Sequence, residues 1–225
     1  MSSGQRPVRI SVIMPARNAG SVIGAAISGV LTQTHGECEL VVVDDGSTDE
    51  TGPLCAAYSE RIKYIAETHR GVAQARNVAI SGSTGEFLAL CDADDLLLPR
   101  YLEAALDAYY QGGGGRRIVM SNALLLTVNG VSHKRELIGK KYPRPENQLM
   151  AILQKNFVRI FSFFPRGLID DVGGFDARRQ TPDARRQYSE DWDLWIRAIL
   201  AGWRVLYQPV PHALYRWTPD SLSTH

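Results

Sequence analysis

Cysteine is scarce in this sequence: Cys38, Cys55 and Cys91 form no CxxC pair and are odd in number. That pattern excludes a disulfide framework and reads as reduced, buried thiols of a cytosolic protein. Excess charge is lacking too. A net charge of +1 predicts neither a nucleic acid nor a membrane as partner on bulk electrostatics. No run approaches the ~18 consecutive apolar residues of a membrane-spanning helix, and the opening MSSGQRPVRI lacks an apolar signal region. These absences predict a soluble, cytoplasmic protein, with peripheral association at the inner face of a membrane left open. There are no internal repeats.

What is present is an ordinary globular composition, 44% hydrophobic and 22% charged over 225 residues, enough for one domain with a real core. VRISVIMPA, residues 8–16, reads as a buried strand stopped by Pro15. Val22, Ile23, Ala26, Ile27, Val30 and Leu31 then recur at helical spacing. ELVVVDDGS is a second buried strand that ends in Asp44, Asp45 and Gly46. STDETGPLCAAYSE predicts a helix capped by Ser47 or Thr48. RIKYIAE predicts a short third strand, GVAQARNVAISGS a helix opened by Gly71, and EFLALCDADD a fourth strand. A helix with Pro99 in its first turn follows.

Strands alternating with helices through residue 111 argue for βαβ units and a largely parallel sheet. After the glycine run 112–115 the pattern changes. Asn129-Gly130 is a hairpin signal between two strand-like runs. A helix is expected over ENQLMAILQKN, then a loop-rich passage through GGFDARRQTPDARRQY. Trp192, Trp195, Ile196, Ile199 and Leu200 form the stripe of a further helix, with Ser189 as its cap. RVLYQPV and HALYRW close the chain as two short strands. The class expected is therefore α/β, in a single domain. Residues 8–111 would form a nucleotide-binding layer and residues 116–225 a smaller antiparallel part.

In open parallel sheets ligands bind beyond the carboxyl ends of the strands. Three ends here carry suggestive residues: Pro15-Ala16-Arg17, Asp44-Asp45-Gly46 and Asp92-Ala93-Asp94. In an extended segment Asp92 and Asp94 face the same way. Such neighbours raise each other's pKa unless a cation intervenes. A hard divalent ion, Mn²⁺ or Mg²⁺, would relieve the repulsion and bridge to phosphates. The competing reading is a turn and helix cap before Leu96, and the DxD alone leaves both open.

VVVDDGSTDE, GVAQARN, LALCDADDLLLP and SEDWDLWIRA, in this order, resemble the inverting family 2 glycosyltransferases with the GT-A fold. SVIMPARN and LYRW extend the resemblance over nearly the whole chain. It implies that the first half binds a nucleoside-diphosphate sugar, most simply a UDP-sugar, with a dTDP-sugar as the next choice. Pro15, Ala16 and Arg17, with Asp44 or Asp45, would hold base and ribose. Arg76 would reach the nucleotide, Asp92 and Ala93 its ribose side, and Asp94 the metal. Asp95 is assigned to the turn.

Glu190 and Asp191 stand in the first turn of a helix, where the helix dipole alone favours acidic residues by roughly 0.3–1 kcal/mol. The resemblance makes Asp191 the general base and places Glu190 beside the donor. A carboxylate with an ordinary pKa of about 3.9 is ionised at neutral pH and ready to take a proton from an acceptor hydroxyl. The acceptor would be a carbohydrate or a lipid-linked one. Many family members have a histidine shortly after the YR pair, but Thr218 stands there in this sequence. His212 is the substitute metal ligand on offer, and Arg216 could face the diphosphate. Arg178, Arg179, Arg185 and Arg186 read as solvated charges or as a lid over the donor. Two other readings compete: a non-catalytic nucleotide-sugar-binding module and a sugar nucleotidyltransferase. The lack of a glycine-rich, lysine-containing phosphate loop in SVIMPARN counts against the latter.

Overall fold

The computed structural model describes residues 8–136, 142–179 and 190–217. Ser189, Arg185, Arg186 and Thr218 lie outside the described residues. β1 (Ile10–Ala16) pairs in parallel with β2 (Cys38–Asp45) on one side and β4 (Phe87–Leu90) on the other. β3 (Lys63–Glu67) adds in parallel outside β2. The crossovers carry α1 (Ile23–Leu31), α2 (Thr51–Ala56) and α3 (Val72–Ser81). Both faces of β1, β2 and β4 are covered, which is why they read as continuous apolar runs, whereas Lys63 and Ala66 of β3 are exposed. Along β1, Ile10, Val12 and Met14 join one core cluster while Ile13 joins another, the two-residue alternation of a strand.

The remaining strands are β5 (Leu96–Leu97), β6 (Arg117–Thr127), β7 (Gly130–Glu136), β8 (Ser162–Pro165) and β9 (Arg204–Arg216). They complete a nine-stranded mixed sheet in the order β3-β2-β1-β4-β8-β6-β9-β5, with β7 paired on β6. α4 (Tyr101–Gln111) packs on one face. α5 (Gln148–Gln154), α6 (Gly167–Val172) and α7 (Glu190–Leu200) join the other core cluster with α3.

Several expectations need correction. The second half is not simply antiparallel: β8 runs antiparallel to β4 and β6, but β6 and β9 are parallel. RVLYQPV and HALYRW are one strand with a register shift opposite Ser121 and Ala123. The prolines at 209 and 211, which cannot donate to a ladder, sit at that irregularity. β5, β8 and α6 lie where a turn and a loop-rich passage were expected. Ser47 and Thr48 do not cap α2, which starts at Thr51 after Glu50. Pro99 precedes the cap residue Arg100 of α4 instead of opening its first turn. On α7 the buried face is Leu194, Trp195, Ala198 and Ile199, and Leu200 is 62% exposed.

Candidate functional site

The parallel strands deliver their carboxyl ends to one cleft of about 430 Å³. Pro15, Ala16 and Arg17 line it from β1, Asp45 from β2, and Asp92, Ala93 and Asp94 from the end of β4. Asp44 and Asp45 separate here. Asp44 accepts hydrogen bonds from the Ser47 N–H at 2.9 Å and the Tyr64 hydroxyl at 3.0 Å. Burial, then that bond to Asp44, pushes the Tyr64 hydroxyl up to about 12. Asp44 is thus committed to the strand-to-helix turn, and Asp45 is the one that faces the cleft.

Asp45 braces the opposite rim. Its carboxylate accepts the backbone N–H groups of Arg70 and Gly71 at 2.7 and 2.8 Å, and contacts His69 Nδ1 at 2.7 Å. Arg17 Nη1 meets His69 Nε2 at 2.8 Å. Because a guanidinium only donates, Nε2 accepts and Nδ1–H donates to Asp45. The chain Arg17–His69–Asp45 closes one wall. Gly46 and Gly71 make this geometry accessible, with φ of 73° and 91°. A Cβ on Gly46 would stand 2.8 Å from the His69 nitrogen, so a side chain there would force the rim apart.

The opposite wall of the cleft is acidic. Asp92, Asp94 and Asp95 each offer a carboxylate oxygen, all within 4.8 Å of one another. Asp94 is exposed to the cleft, and Asp95 is 1% exposed. Asp95 is more than a turn residue. Its Oδ1 accepts the Arg216 N–H at 2.8 Å, and its buried Oδ2 has no hydrogen-bond partner among the described residues. Reduced solvation first, then the neighbouring Asp charges, hold the carboxyls of Asp94 and Asp95 above the usual carboxylate range. Crowded, electron-rich and under-compensated oxygens of this kind fit a hard divalent cation. Arg216 also donates from Nε to the Asp94 carbonyl at 2.8 Å, so β9 is fastened to the acidic segment.

Arg76 connects this wall to the second half of the chain. It lies in α3, whose small residues Ala73, Ala75 and Ala79 are buried against the sheet, and is itself 4% exposed. Its guanidinium donates to Asp92 at 2.9 Å and to Glu190 at 2.5 Å, with the Phe175 ring 5.3 Å away. Burial alone would lower its pKa, but the carboxylates of Asp92, Glu190 and Asp191 outweigh that and raise it. The next residue, Asn77, exchanges two hydrogen bonds with the Phe175 backbone, at 2.7 and 2.8 Å.

Asp191 faces a smaller cavity of about 150 Å³, which it shares with Asp92, Asn156, Arg159 and Tyr215. Its Oδ1 accepts the Trp192 N–H at 2.7 Å and its Oδ2 the Asn156 amide at 3.2 Å. The structure therefore gathers Pro15, Ala16, Arg17, Asp45, Arg76, Asp92, Ala93, Asp94, Glu190, Asp191 and Arg216 into adjoining walls. It does not bring His212 there: that side chain lines a separate cavity with Arg100, Asp107 and Gln208. Sequence reasoning gave no site role to His69, Asn156 and Arg159; Asn156 was read only as the end of the ENQLMAILQKN helix, which stops at Gln154, and all three are placed by the fold. Arg178 pairs with Asp176 at 2.9 Å on the surface.

A curled mixed sheet with acidic strand ends beside a carboxylate at a helix start is the architecture of the GT-A glycosyltransferases. The fold matches S. aureus TarS 1–349, solved with UDP-GlcNAc, at a TM-score of 0.71 and 21% identity, over 96% of this chain and 61% of that one. It also matches the mannosyltransferase PcManGT from Pyrobaculum calidifontis, solved with GDP-Man and Mn²⁺, at 0.69 and 21%, over 96% and 59%. The model of glycosyl transferase family 2 matches residues 11–164, and the chain belongs to that family. EpsE of Bacillus subtilis, named as a glycosyltransferase, is 31% identical over 98% of this chain and 76% of its own length. WfgD of Escherichia coli, a UDP-Glc:alpha-D-GlcNAc-diphosphoundecaprenol beta-1,3-glucosyltransferase by name, is 35% identical over 52% of this chain and 49% of its own. The chain spans only 14% and 33% of two pneumococcal glycosyltransferases it matches, GlyA and GlyG. Among the described residues no helix is long and apolar enough to cross a membrane.

Proposed function

We propose that this chain is a metal-dependent, inverting glycosyltransferase that moves a sugar from a nucleoside diphosphate, most simply UDP, to an acceptor hydroxyl. The observation that carries the reading is the Arg76 bridge. By holding Asp92 and Glu190 together, it sets the donor cleft beside the cavity that Asp92 and Asp191 share. Residues 8–111 supply the donor half and residues 116–225 the acceptor half. Two neighbours of the same fold were solved with UDP-GlcNAc and with GDP-Man and Mn²⁺, which supports a nucleotide-sugar donor and a divalent ion.

In this reading the β1 end and Asp45 hold the base and ribose, Asp92 completes the ribose side, and Asp94, with Asp95 next to it in the acidic cluster, would hold Mn²⁺ or Mg²⁺. A bound divalent ion would stabilise the negative charge that develops on the leaving diphosphate. Asp191 takes the proton of the acceptor hydroxyl as its oxygen forms the bond to the anomeric carbon. The bond to the diphosphate oxygen breaks on the opposite face, so a single displacement inverts the configuration. Arg76 holds Asp92 and Glu190 in place while this occurs. The relative WfgD, whose name states a diphosphoundecaprenol-linked acceptor, supports a carbohydrate or lipid-linked acceptor, met at the inner face of a membrane.

Calorimetry with UDP, GDP and dTDP, with and without Mn²⁺, tests the reading. UDP is expected to bind with Mn²⁺ and to lose affinity in Asp94→Ala. Absence of binding by all three nucleotides, with no change in Asp94→Ala, would sink it.

A further inference from the structure

The segment between α5 and β8 carries Asn156, half-buried at the wall of the Asp191 cavity. The Val158 N–H donates to Asn156 Oδ1 at 3.2 Å. That bond fixes which end of the amide points where, so Nδ2 is left to donate to Asp191 Oδ2 at 3.2 Å. The Trp192 N–H holds the other carboxylate oxygen at 2.7 Å. A carboxylate torsion about its last bond is otherwise broad, and one bond from its own chain neighbour leaves it free to turn away. Two bonds from different segments define its plane. They occupy only part of its roughly four lone-pair positions, so an acceptor hydroxyl still has a lone pair to meet.

We propose that Asn156 is a positioning residue that orients the Asp191 carboxylate toward the acceptor hydroxyl; this rests on the reading of Asp191 as the base. It couples the segment that follows α5, a helix packed on α7, to the Asp191 carboxylate through one amide. A misplaced base costs on the order of tenfold to a hundredfold in rate without weakening the donor site.

Two variants separate orientation from loop support. Asn156→Asp keeps an oxygen for the Val158 N–H but removes the amide donor, whereas Asn156→Ala removes both. The whole chain is assayed for nucleoside diphosphate release from UDP-glucose, UDP-GlcNAc and GDP-mannose with Mn²⁺, water standing in as acceptor. Both variants are expected to lose about tenfold or more in kcat, with donor KM and UDP affinity within about twofold of the parent. Asn156→Asp at parental kcat overturns the proposal. So does a kcat loss matched by an equal loss of UDP affinity, which marks general distortion. Release from none of the three donors by the parent protein overturns the transferase reading itself, and this inference with it.

Discussion

Arg76 on α3 reaches Glu190 on α7 at 2.5 Å, joining residues 114 positions apart in sequence. With Asp92 on its other branch, this buried guanidinium pairs with two carboxylates at once. Removing one partner of a buried network leaves the others uncompensated, at a cost of about 3–5 kcal/mol. Arg76→Leu is therefore expected to lower folding stability by that amount in urea denaturation. Arg76→Lys should recover only part of it, because an ammonium cannot hold two carboxylates in a fixed fork. Equal stability of Arg76→Leu and parent would show that the bridge contributes nothing to the fold.

The two acidic residues at the end of β2 are expected to behave oppositely. Asp45 lines the cleft and holds three groups of the 69–71 rim, whereas Asp44 holds Tyr64 and Ser47. Hydrogen bonds to charged groups contribute about 1.5–3 kcal/mol each. Asp45→Ala should thus weaken UDP binding by about tenfold or more in calorimetry. Asp44→Asn should lower the unfolding temperature while leaving UDP affinity within about threefold. The reverse pattern would exchange their roles.

Much of the first half was legible because both faces of β1, β2 and β4 are covered. Continuous apolar runs broken by Asp or Pro, as at Val41–Val42–Val43–Asp44, have few alternative structures. The residues that separate Asp44 from Asp45 were not legible. Which carboxylate faces the cleft depends on Tyr64 and on the 69–71 rim, both distant in sequence. The second half was read less well for the same reason. β8 is a short run in the middle of the sheet, and only its pairing with β4 and β6 makes it a strand. β5 spans two residues held by β9. Asp95 does close a turn, its N–H donating to the Asp92 carbonyl at 3.1 Å, but that its Oδ2 finds no partner among the described residues is a property of packing. Local pattern carried Asp191 only as a helix-start acid.

Asp95 gives the acidic wall an unusual pH dependence. Burial, then Asp94 and Asp92, hold its carboxyl well above the usual range. A carboxyl with a raised folded pKa binds its proton more tightly in the folded protein, so its contribution to stability falls as pH rises above about 3.9. Without metal, Asp95→Asn is expected to unfold at a higher temperature than the parent at pH 7, with the gap closing toward pH 4. A gap that stays constant with pH would contradict this. A divalent ion must displace those protons, so Mn²⁺ affinity should weaken on acidification at a higher pH than for ordinary carboxylates. At a hundred times its Kd, Mn²⁺ should add about 2.7 kcal/mol to the parent at neutral pH and nothing measurable to Asp94→Ala.

His212 faces α4 with Arg100 and Asp107, away from the acidic wall. Burial, then Arg100, lowers its pKa, which suits a neutral imidazole packed beside a guanidinium. His212→Ala is expected to leave Mn²⁺ and UDP affinity within about twofold of the parent, because affinity changes follow lost contacts. A tenfold loss of Mn²⁺ affinity would place this imidazole at the metal after all.

Asp191→Asn tests the base with the least disturbance of its surroundings. The replacement keeps an oxygen for the Trp192 N–H or the Asn156 amide, and it leaves the Arg76 bridge to Asp92 and Glu190 in place. Nucleotide affinity and unfolding temperature should therefore stay close to the parent. An amide cannot take up the acceptor proton, and loss of general-base catalysis costs about a hundredfold to ten-thousandfold in rate. The expected signature is a collapse of kcat at nearly constant UDP affinity. Parental kcat in a folded, UDP-binding Asp191→Asn protein would remove Asp191 from the reaction and move the search for the base to the other groups of that cavity, Asp92 and Tyr215.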